Sequence, residues 1–171
     1  MQTESLEIQT SRQPSEALPL RGDLALIFGV LSLVTLAAGG LLTLAGIGPW
    51  YENLQVPSFQ PPAWAFTPTW TLIFFLLAAA SWRIARHGRR ARFAIQLYAV
   101  QLVLNAAWSL FFFPMQMPWL ALVDGVLLTA LVGLMIVSYG RIDRTAGAML
   151  VPYAVWMCFA TAINLWIVLY N

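Results

Sequence analysis

The chain has 171 residues, of which 60% are hydrophobic and only 9% are charged. Soluble domains usually carry about 25% charged residues, so this composition excludes an ordinary soluble domain and indicates a membrane protein. The formal net charge of +2 is too small to indicate nucleic-acid binding, and no nucleic-acid partner is predicted.

Five apolar stretches follow a polar amino-terminal tail, and each is close to the roughly 20 residues that a helix needs to cross a bilayer. The tail, residues 1–23, lacks the basic start of a signal peptide, so we predict that it is disordered and that the first stretch is a retained helix. The alternating pattern of a membrane β-barrel is absent from the sequence, which favours an all-α bundle. The spans are predicted at residues 24–44, 69–84, 93–113, 119–139 and 146–169, within one transmembrane domain, residues 24–171.

The segment between the first two spans is rich in proline and aromatic residues: WYENLQVPSFQPPAWAFTPTW, residues 50–70. Proline disfavours a regular helix and restricts the backbone, so we predict an irregular segment that nevertheless keeps a shape. Large aromatic rings are unfavourable in water and would cover one end of the bundle. We call residues 46–68 the lid loop.

The nine basic residues are all arginine, and their positions predict the orientation. Five occur in RIARHGRRAR, between the second and third spans, and two in GRIDRT, between the fourth and fifth. The positive-inside rule places the amino terminus and both of these loops on one side of the membrane. The lid loop, the turn PMQMP and the carboxyl end then share the other side. The expected location is a bacterial membrane, with membrane lipid as a partner.

Polar and aromatic side chains recur on one face of several spans. At about 100° per residue, one sector of the third span contains Tyr98, Gln101, Asn105, Trp108 and Phe112. A sector of the fifth span contains Tyr153, Trp156, Ala160 and Asn164. The fourth span adds Asp124, and the predicted second span opens with Trp70. Amides at mid-membrane are unfavourable towards lipid, so these faces predict an aromatic pocket inside the bundle. Alternatively, the polar groups only hold the helices together.

Four blocks resemble the TspO/MBR family of tryptophan-rich sensory and translocator proteins: the segment quoted above, QLVLNAAWSLFFF, LALVDG and VPYAVWMCFATAINLW. Their order and spacing are similar over residues 24–170. The resemblance implies five helices around a ligand cavity under a lid, a homodimer, and binding of porphyrins, such as protoporphyrin IX and haem, and of benzodiazepine-type ligands. The lining residues that it implies are Trp50, Tyr51, Trp70, Asn105, Trp108, Asp124, Trp156 and Ala160. The helical sectors add Tyr98, Gln101 and Asn164 to the predicted site.

The sequence departs from the family pattern in two places. The lid of relatives often carries two adjacent tryptophans before its paired prolines, and here Ser58 and Phe59 hold those positions. The sterol-recognition pattern of mammalian relatives needs a tyrosine and then a basic residue at the end of the fifth span. Leu165 stands in place of that tyrosine and no Arg or Lys follows, which argues against specific sterol binding.

Three functions are compatible with these features. The first is a porphyrin receptor or carrier in which aromatic rings stack on the macrocycle and no obligatory cofactor is needed. The second is light- and oxygen-dependent porphyrin degradation beside Trp50, Trp108 and Trp156. The third is a ligand-dependent stress regulator or scaffold. We favour the first, because no nucleophile–base pair or metal-ligand set indicates ordinary enzyme chemistry. His87 in the opposite loop and Cys158 on another helix face favour recognition of the ring rather than of iron.

Overall fold

The structure, a computed structural model, describes residues 21–171, so all but the last residues of the predicted tail lie outside the described residues. Within that range the chain is helical, and five segments are long and apolar enough to cross a membrane, which confirms the predicted fold class. The helices are α1 (Gly22–Gly46), α2 (Pro49–Glu52), α3 (Phe66–Ala85), α4 (Arg92–Phe112), α5 (Pro118–Gly140), α6 (Arg144–Met149) and α7 (Val151–Tyr170).

Proline explains the two largest differences from the predicted spans. Helix α3 begins at Phe66 rather than at residue 69, and Pro68 lies in its first turn, where no intrahelical N–H bond is lost. The predicted fifth span is divided at Leu150 into α6 and α7. Pro152 has no N–H to donate to the carbonyl of Ala148, and its ring would clash with that carbonyl in a continuous helix.

The five long helices form a closed bundle. Helix α1 packs against α3 and α4, α4 packs against α5, and α5 packs against α7. Trp70 of α3 contacts the rings of Tyr153 and Trp156 in α7, so the order around the bundle is α1, α4, α5, α7, α3. At one end, which we call the arginine end, Trp82 Nε1 donates to the carbonyl of Arg21 at 3.2 Å. The lid loop lies at the opposite end, the lid end.

The arginine end is filled by apolar side chains from α3, α4 and α5. Leu77, Ile84 and Met135 have no exposed surface, and the hydroxyl of Tyr139 lies 2.9 Å from that of Ser81. A buried hydroxyl pair of this kind satisfies both polar groups away from water. We call this buried apolar region at the arginine end the floor of the bundle. The aromatic and amide groups described below lie between it and the lid end.

An ion pair joins α3 to the turn before α6. Arg83 Nη2 lies 2.7 Å from Asp143 Oδ2, and Asp143 Oδ1 accepts hydrogen bonds from the amides of Thr145 and Ala146. Partial burial raises the pKa of the Asp143 carboxyl, but the hydrogen bonds from Ala146 and Arg83 outweigh it and hold the pKa below its ordinary value. A carboxyl whose pKa is lowered by folding stabilises the fold above its unfolded pKa, and this contribution is lost as the pH falls through the folded pKa.

We expect Asp143→Ala to lower the free energy of unfolding by about 1–2 kcal/mol at neutral pH, because it removes both a helix cap and an ion pair. Asp143→Asn should have a smaller effect, since asparagine still caps a helix. Thermal unfolding in detergent measures both variants. The deficit of Asp143→Ala should be smaller at about pH 3, below the ordinary aspartate pKa of about 3.9, because the stability that the lowered pKa contributes declines there. An equal deficit at both pH values would contradict this account.

Candidate functional site

The first part of the lid loop packs on the end of α4. Trp50 and Tyr51 lie in the short helix α2, and their rings contact those of Phe112 and Phe113 at centroid distances of 5.9 and 5.6 Å. Proline at the first position of α2 favours a helical start, so the loop is less irregular here than predicted. These contacts fix the beginning of the lid loop over α4.

The later part of the lid loop packs on α7. Phe59 contacts Phe159 at a centroid distance of 6.1 Å, and Phe66 contacts the ring of Trp156 edge-on at 5.6 Å. Pro57 is buried, whereas Phe59 is 50% exposed. The lid loop therefore bridges the ends of α4 and α7.

A cavity of about 60 Å³ lies beneath the lid loop, between α4 and α7. Aromatic and aliphatic side chains form most of its wall, and two amides supply polar groups. The lining residues are Tyr51, Gln60, Phe66, Trp108, Phe112, Phe113, Ala160, Ile163, Asn164 and Ile167. Sites for small molecules usually measure about 300–1,000 Å³, so this cavity is too small for such a ligand in this structure.

Hydrogen bonds hold one wall of the cavity in place. Trp108 Nε1 donates to Asn164 Oδ1 at 3.2 Å, and Asn164 Nδ2 donates to the carbonyl of Pro118 at 3.0 Å. Behind the indole, a Cβ added at Gly125 would lie 3.5 Å from Trp108 Cδ1. This distance is an ordinary van der Waals contact, so the indole packs directly against α5 at Gly125. Three helices together determine the position of Trp108.

A buried polar network crosses the centre of the bundle. Tyr153 Oη accepts two hydrogen bonds, from Gln101 Nε2 at 2.8 Å and from Asn105 Nδ2 at 3.0 Å. Asp124 is 5% exposed and lies one turn before Leu128, which packs in the same apolar cluster as Tyr153. Among the described residues, Gln101 Oε1 and Asp124 Oδ2 have no hydrogen-bond partner. Buried polar atoms are normally satisfied, so these two acceptors can receive hydrogen bonds from water or a ligand.

An aromatic cluster connects this network to the lid loop. Trp70 contacts Tyr153 at a centroid distance of 6.2 Å and Trp156 at 6.4 Å, both edge-to-face. Trp156 in turn contacts Phe66 and Phe159. Edge-to-face pairs stabilise one another by about 0.5–1.5 kcal/mol beyond the area that they bury. The cluster therefore joins α3 to α7 beneath the lid loop.

The predicted site residues occupy three adjoining regions and one separate position. The cavity wall contains Tyr51, Trp108, Ala160 and Asn164. The polar network and its surroundings contain Gln101, Asn105 and Asp124, and the aromatic cluster contains Trp70 and Trp156. Trp50 lines a neighbouring groove of about 300 Å³ formed by residues 45–50, Phe113, Pro114 and Gln116. These regions all lie on the lid side of the floor.

Tyr98 lies apart from the cavity. Its hydroxyl donates to the carbonyl of Phe28 at 3.1 Å and lies 2.9 Å from Ser32 Oγ, so it faces α1. Tyr98 shares the helical sector of Gln101, but Tyr98 lies nearly one turn closer to the arginine end. Angular position alone does not distinguish these depths.

Several residues of the cavity wall and of the polar network were not among the predicted site residues. Phe112 and Tyr153 share the sectors identified from helical periodicity, so the sequence contained a signal for both. Gln60, Ile163 and Ile167 had no such signal, because their place at the cavity depends on how the lid loop and α7 meet. Hydropathy treats an isoleucine facing a cavity and one facing lipid alike.

The sequence model of the TspO/MBR family matches residues 27–169, which cover every element of this site. The chain belongs to the TspO/MBR family. The tryptophan-rich protein TspO of Chlorobaculum tepidum is 36% identical over 151 residues, covering 86% of this chain and 95% of the relative. The tryptophan-rich sensory protein of Cereibacter sphaeroides is 33% identical over 138 residues, with coverage of 78% and 87%. The translocator protein of Sus scrofa is 37% identical over 120 residues, with coverage of 67% and 70%.

Membership of the TspO/MBR family and the five apolar helices together show an integral, multi-pass membrane protein. The resemblance identified from the sequence is thus confirmed. Its four blocks fall in the lid loop, α4, α5 and α7, which are the elements that surround the cavity and the polar network. The names of the relatives describe translocator and sensory proteins.

Proposed function

We propose that this TspO/MBR family member is a membrane receptor or carrier that binds protoporphyrin IX, haem and similar hydrophobic planar ligands between α4, α5 and α7. The observation that carries the proposal is the aromatic-walled cavity under the lid loop, whose wall residue Phe66 contacts Trp156 of the aromatic cluster. Aromatic faces stack favourably on a flat macrocycle, and an apolar wall suits a ligand that partitions into membranes.

Binding requires the site to expand, because a tetrapyrrole is far larger than the cavity of about 60 Å³. Ligand entry parts the lid loop from α7 for a time, and the edge-to-face rings beneath the loop separate to enlarge the site. Polar recognition then falls to Asn164 and Gln60 at the cavity wall. Deeper in the bundle, the two acceptors without partners, on Gln101 and Asp124, can receive hydrogen bonds from the ligand or from accompanying water.

Recognition through the macrocycle rather than through iron follows from the positions of the usual axial ligands. His87 lies two residues after α3 at the arginine end, and Cys158 is exposed on α7. Neither residue belongs to the cavity wall. Iron in proteins is normally held by such side chains, so iron contributes little to binding under this proposal. Metal-free protoporphyrin IX is therefore a suitable probe.

Trp156→Ala is expected to weaken protoporphyrin IX binding about tenfold, since it removes a large stacking surface. Trp50→Ala should weaken binding about threefold, because Trp50 packs the lid loop on α4. Asn105→Ala should also weaken binding about threefold, because Asn105 is part of the polar network. A fluorescence-quenching titration of purified protein in lipid nanodiscs measures these affinities. Unchanged affinity in all three variants would rule out the proposed pocket.

Trp64→Ala is the matched control for this titration. Trp64 also belongs to the lid loop, but its side chain is 75% exposed and it is not part of the cavity wall. The Trp64→Ala variant removes one indole that does not line the cavity, so its affinity for protoporphyrin IX should equal that of the wild type. Empty nanodiscs correct for porphyrin that dissolves in the lipid.

A further inference from the structure

One residue outside the lid loop makes hydrogen bonds to the middle of that loop. Asn171 Oδ1 accepts from the backbone N–H of Gln55 at 2.8 Å, and Asn171 Nδ2 donates to the backbone carbonyl of Gln55 at 3.0 Å. Over residues 21–171, the other hydrogen bonds of residues 53–62 stay within the lid loop. The side-chain amide of Asn171 thus binds both the N–H and the carbonyl of one residue of the lid loop, Gln55.

Helix α7 holds this amide in position. Asn171 Nδ2 also donates to the carbonyl of Ile167 at 3.0 Å, and the backbone N–H of Asn171 donates to the same carbonyl at 3.1 Å. Both hydrogens of the amide are therefore engaged, and its orientation is set by the last turn of the helix. The same face of α7 supplies the cavity wall with Ala160, Ile163, Asn164 and Ile167.

We propose that Asn171 is a positioning residue that latches the lid loop shut and so controls the rates at which ligand enters and leaves the cavity. Asn171 and Gln55 are both exposed, so water can replace each bond and the latch can open. The ends of the lid loop stay anchored by the rings of Tyr51 and Phe66. After release at Asn171, the middle of the loop is still held to α7 by the ring contact of Phe59 with Phe159.

The latch predicts a kinetic effect that differs from that of a ligand contact. It forms in the empty closed state and again once the lid loop has closed over a ligand. Its loss therefore destabilises both closed states alike, and association and dissociation accelerate together while the affinity stays the same. A residue that touches the ligand would change the affinity instead. This kinetic consequence depends on the proposed function, whereas the latch itself does not.

Asn171→Ala tests the latch, and Gln55→Ala is the matched control. Only the main chain of Gln55 takes part, so Gln55→Ala keeps both hydrogen bonds. With protoporphyrin IX in stopped-flow experiments, Asn171→Ala should raise the association and dissociation rates by roughly three- to tenfold. The dissociation constant should stay within about twofold of the wild type. Unchanged rates, or equal acceleration in Gln55→Ala, would overturn the gating role.

Hydrogen exchange without ligand separates the latch from the proposed function. Amides of residues 53–60 should exchange roughly three- to tenfold faster in Asn171→Ala than in the wild type or Gln55→Ala. Unaltered exchange in Asn171→Ala would overturn the latch whatever the protein binds. Faster exchange in a protein that does not bind protoporphyrin IX would support the latch and contradict the proposed function.

Discussion

Gly46→Ala is expected to destabilise the folded protein by about 3 kcal/mol, a large effect for the addition of one methyl group. Gly46 ends α1 and lies against Phe113, which directly follows α4. A Cβ at Gly46 would lie 2.7 Å from Phe113 Cα and nearer still to its carbonyl carbon. The clash is with main-chain atoms, so no rotamer change relieves it and α1 must move away from α4.

The clash should also affect the site, because the ring of Phe113 contacts Tyr51 and Trp108. Thermal unfolding in detergent should show a midpoint lower by roughly 6–12 °C. Gly40→Ala is the control, since nothing lies within 4 Å of a Cβ there. Alanine is favoured over glycine inside a helix, so this variant should be at least as stable as the wild type. Equal midpoints for the two variants would contradict the close contact between α1 and Phe113.

Tyr153→Phe should lower the free energy of unfolding by about 2 kcal/mol, because it leaves two amide groups without an acceptor inside the bundle. The lost oxygen accepts from Gln101 Nε2 and Asn105 Nδ2, and Gln101 has no exposed surface. Thermal unfolding in detergent measures the loss, with far-ultraviolet circular dichroism to confirm that the helices still form.

Tyr170→Phe serves as the control for loss of a phenolic hydroxyl. Its ring stacks on Trp166 at a centroid distance of 4.4 Å and is 57% exposed, so phenylalanine keeps the stack and the stability. Combining Tyr153→Phe with Gln101→Leu should recover part of the loss, since removing both partners of a buried hydrogen bond costs less than removing one. Additive losses in the double variant would show that the two residues do not interact.

The positions of the spans were predictable from sequence, because length and apolarity alone decide which segments can cross a bilayer. The break at Leu150 was not predicted, although Pro152 is visible in the sequence. Hydropathy averages over a long window and takes no account of one missing N–H. The start of α3 at Phe66 was missed for the opposite reason. Proline is tolerated in the first turn of a helix, so Pro68 does not mark the helix boundary that was predicted after it.

The candidate site was predictable to the level of helix faces. Gln101 and Asn105 were expected to point inwards, and both are buried there. Their shared acceptor, Tyr153, belongs to another helix, and helical spacing carries no information on which faces meet across a bundle. The pairing of Asn171 with Gln55, separated by 116 positions, has no sequence signal of any kind.

The polar network also constrains how the chain is made. Tyr153 is translated 52 residues after Gln101 and 48 after Asn105. At about 5–20 residues per second, α4 waits roughly 2–10 s for its acceptor. During that interval its two amides lack Tyr153 as an acceptor and pair with other groups in or near the membrane. The network can therefore close only after α7, the last helix to be made, has joined α4 in the membrane.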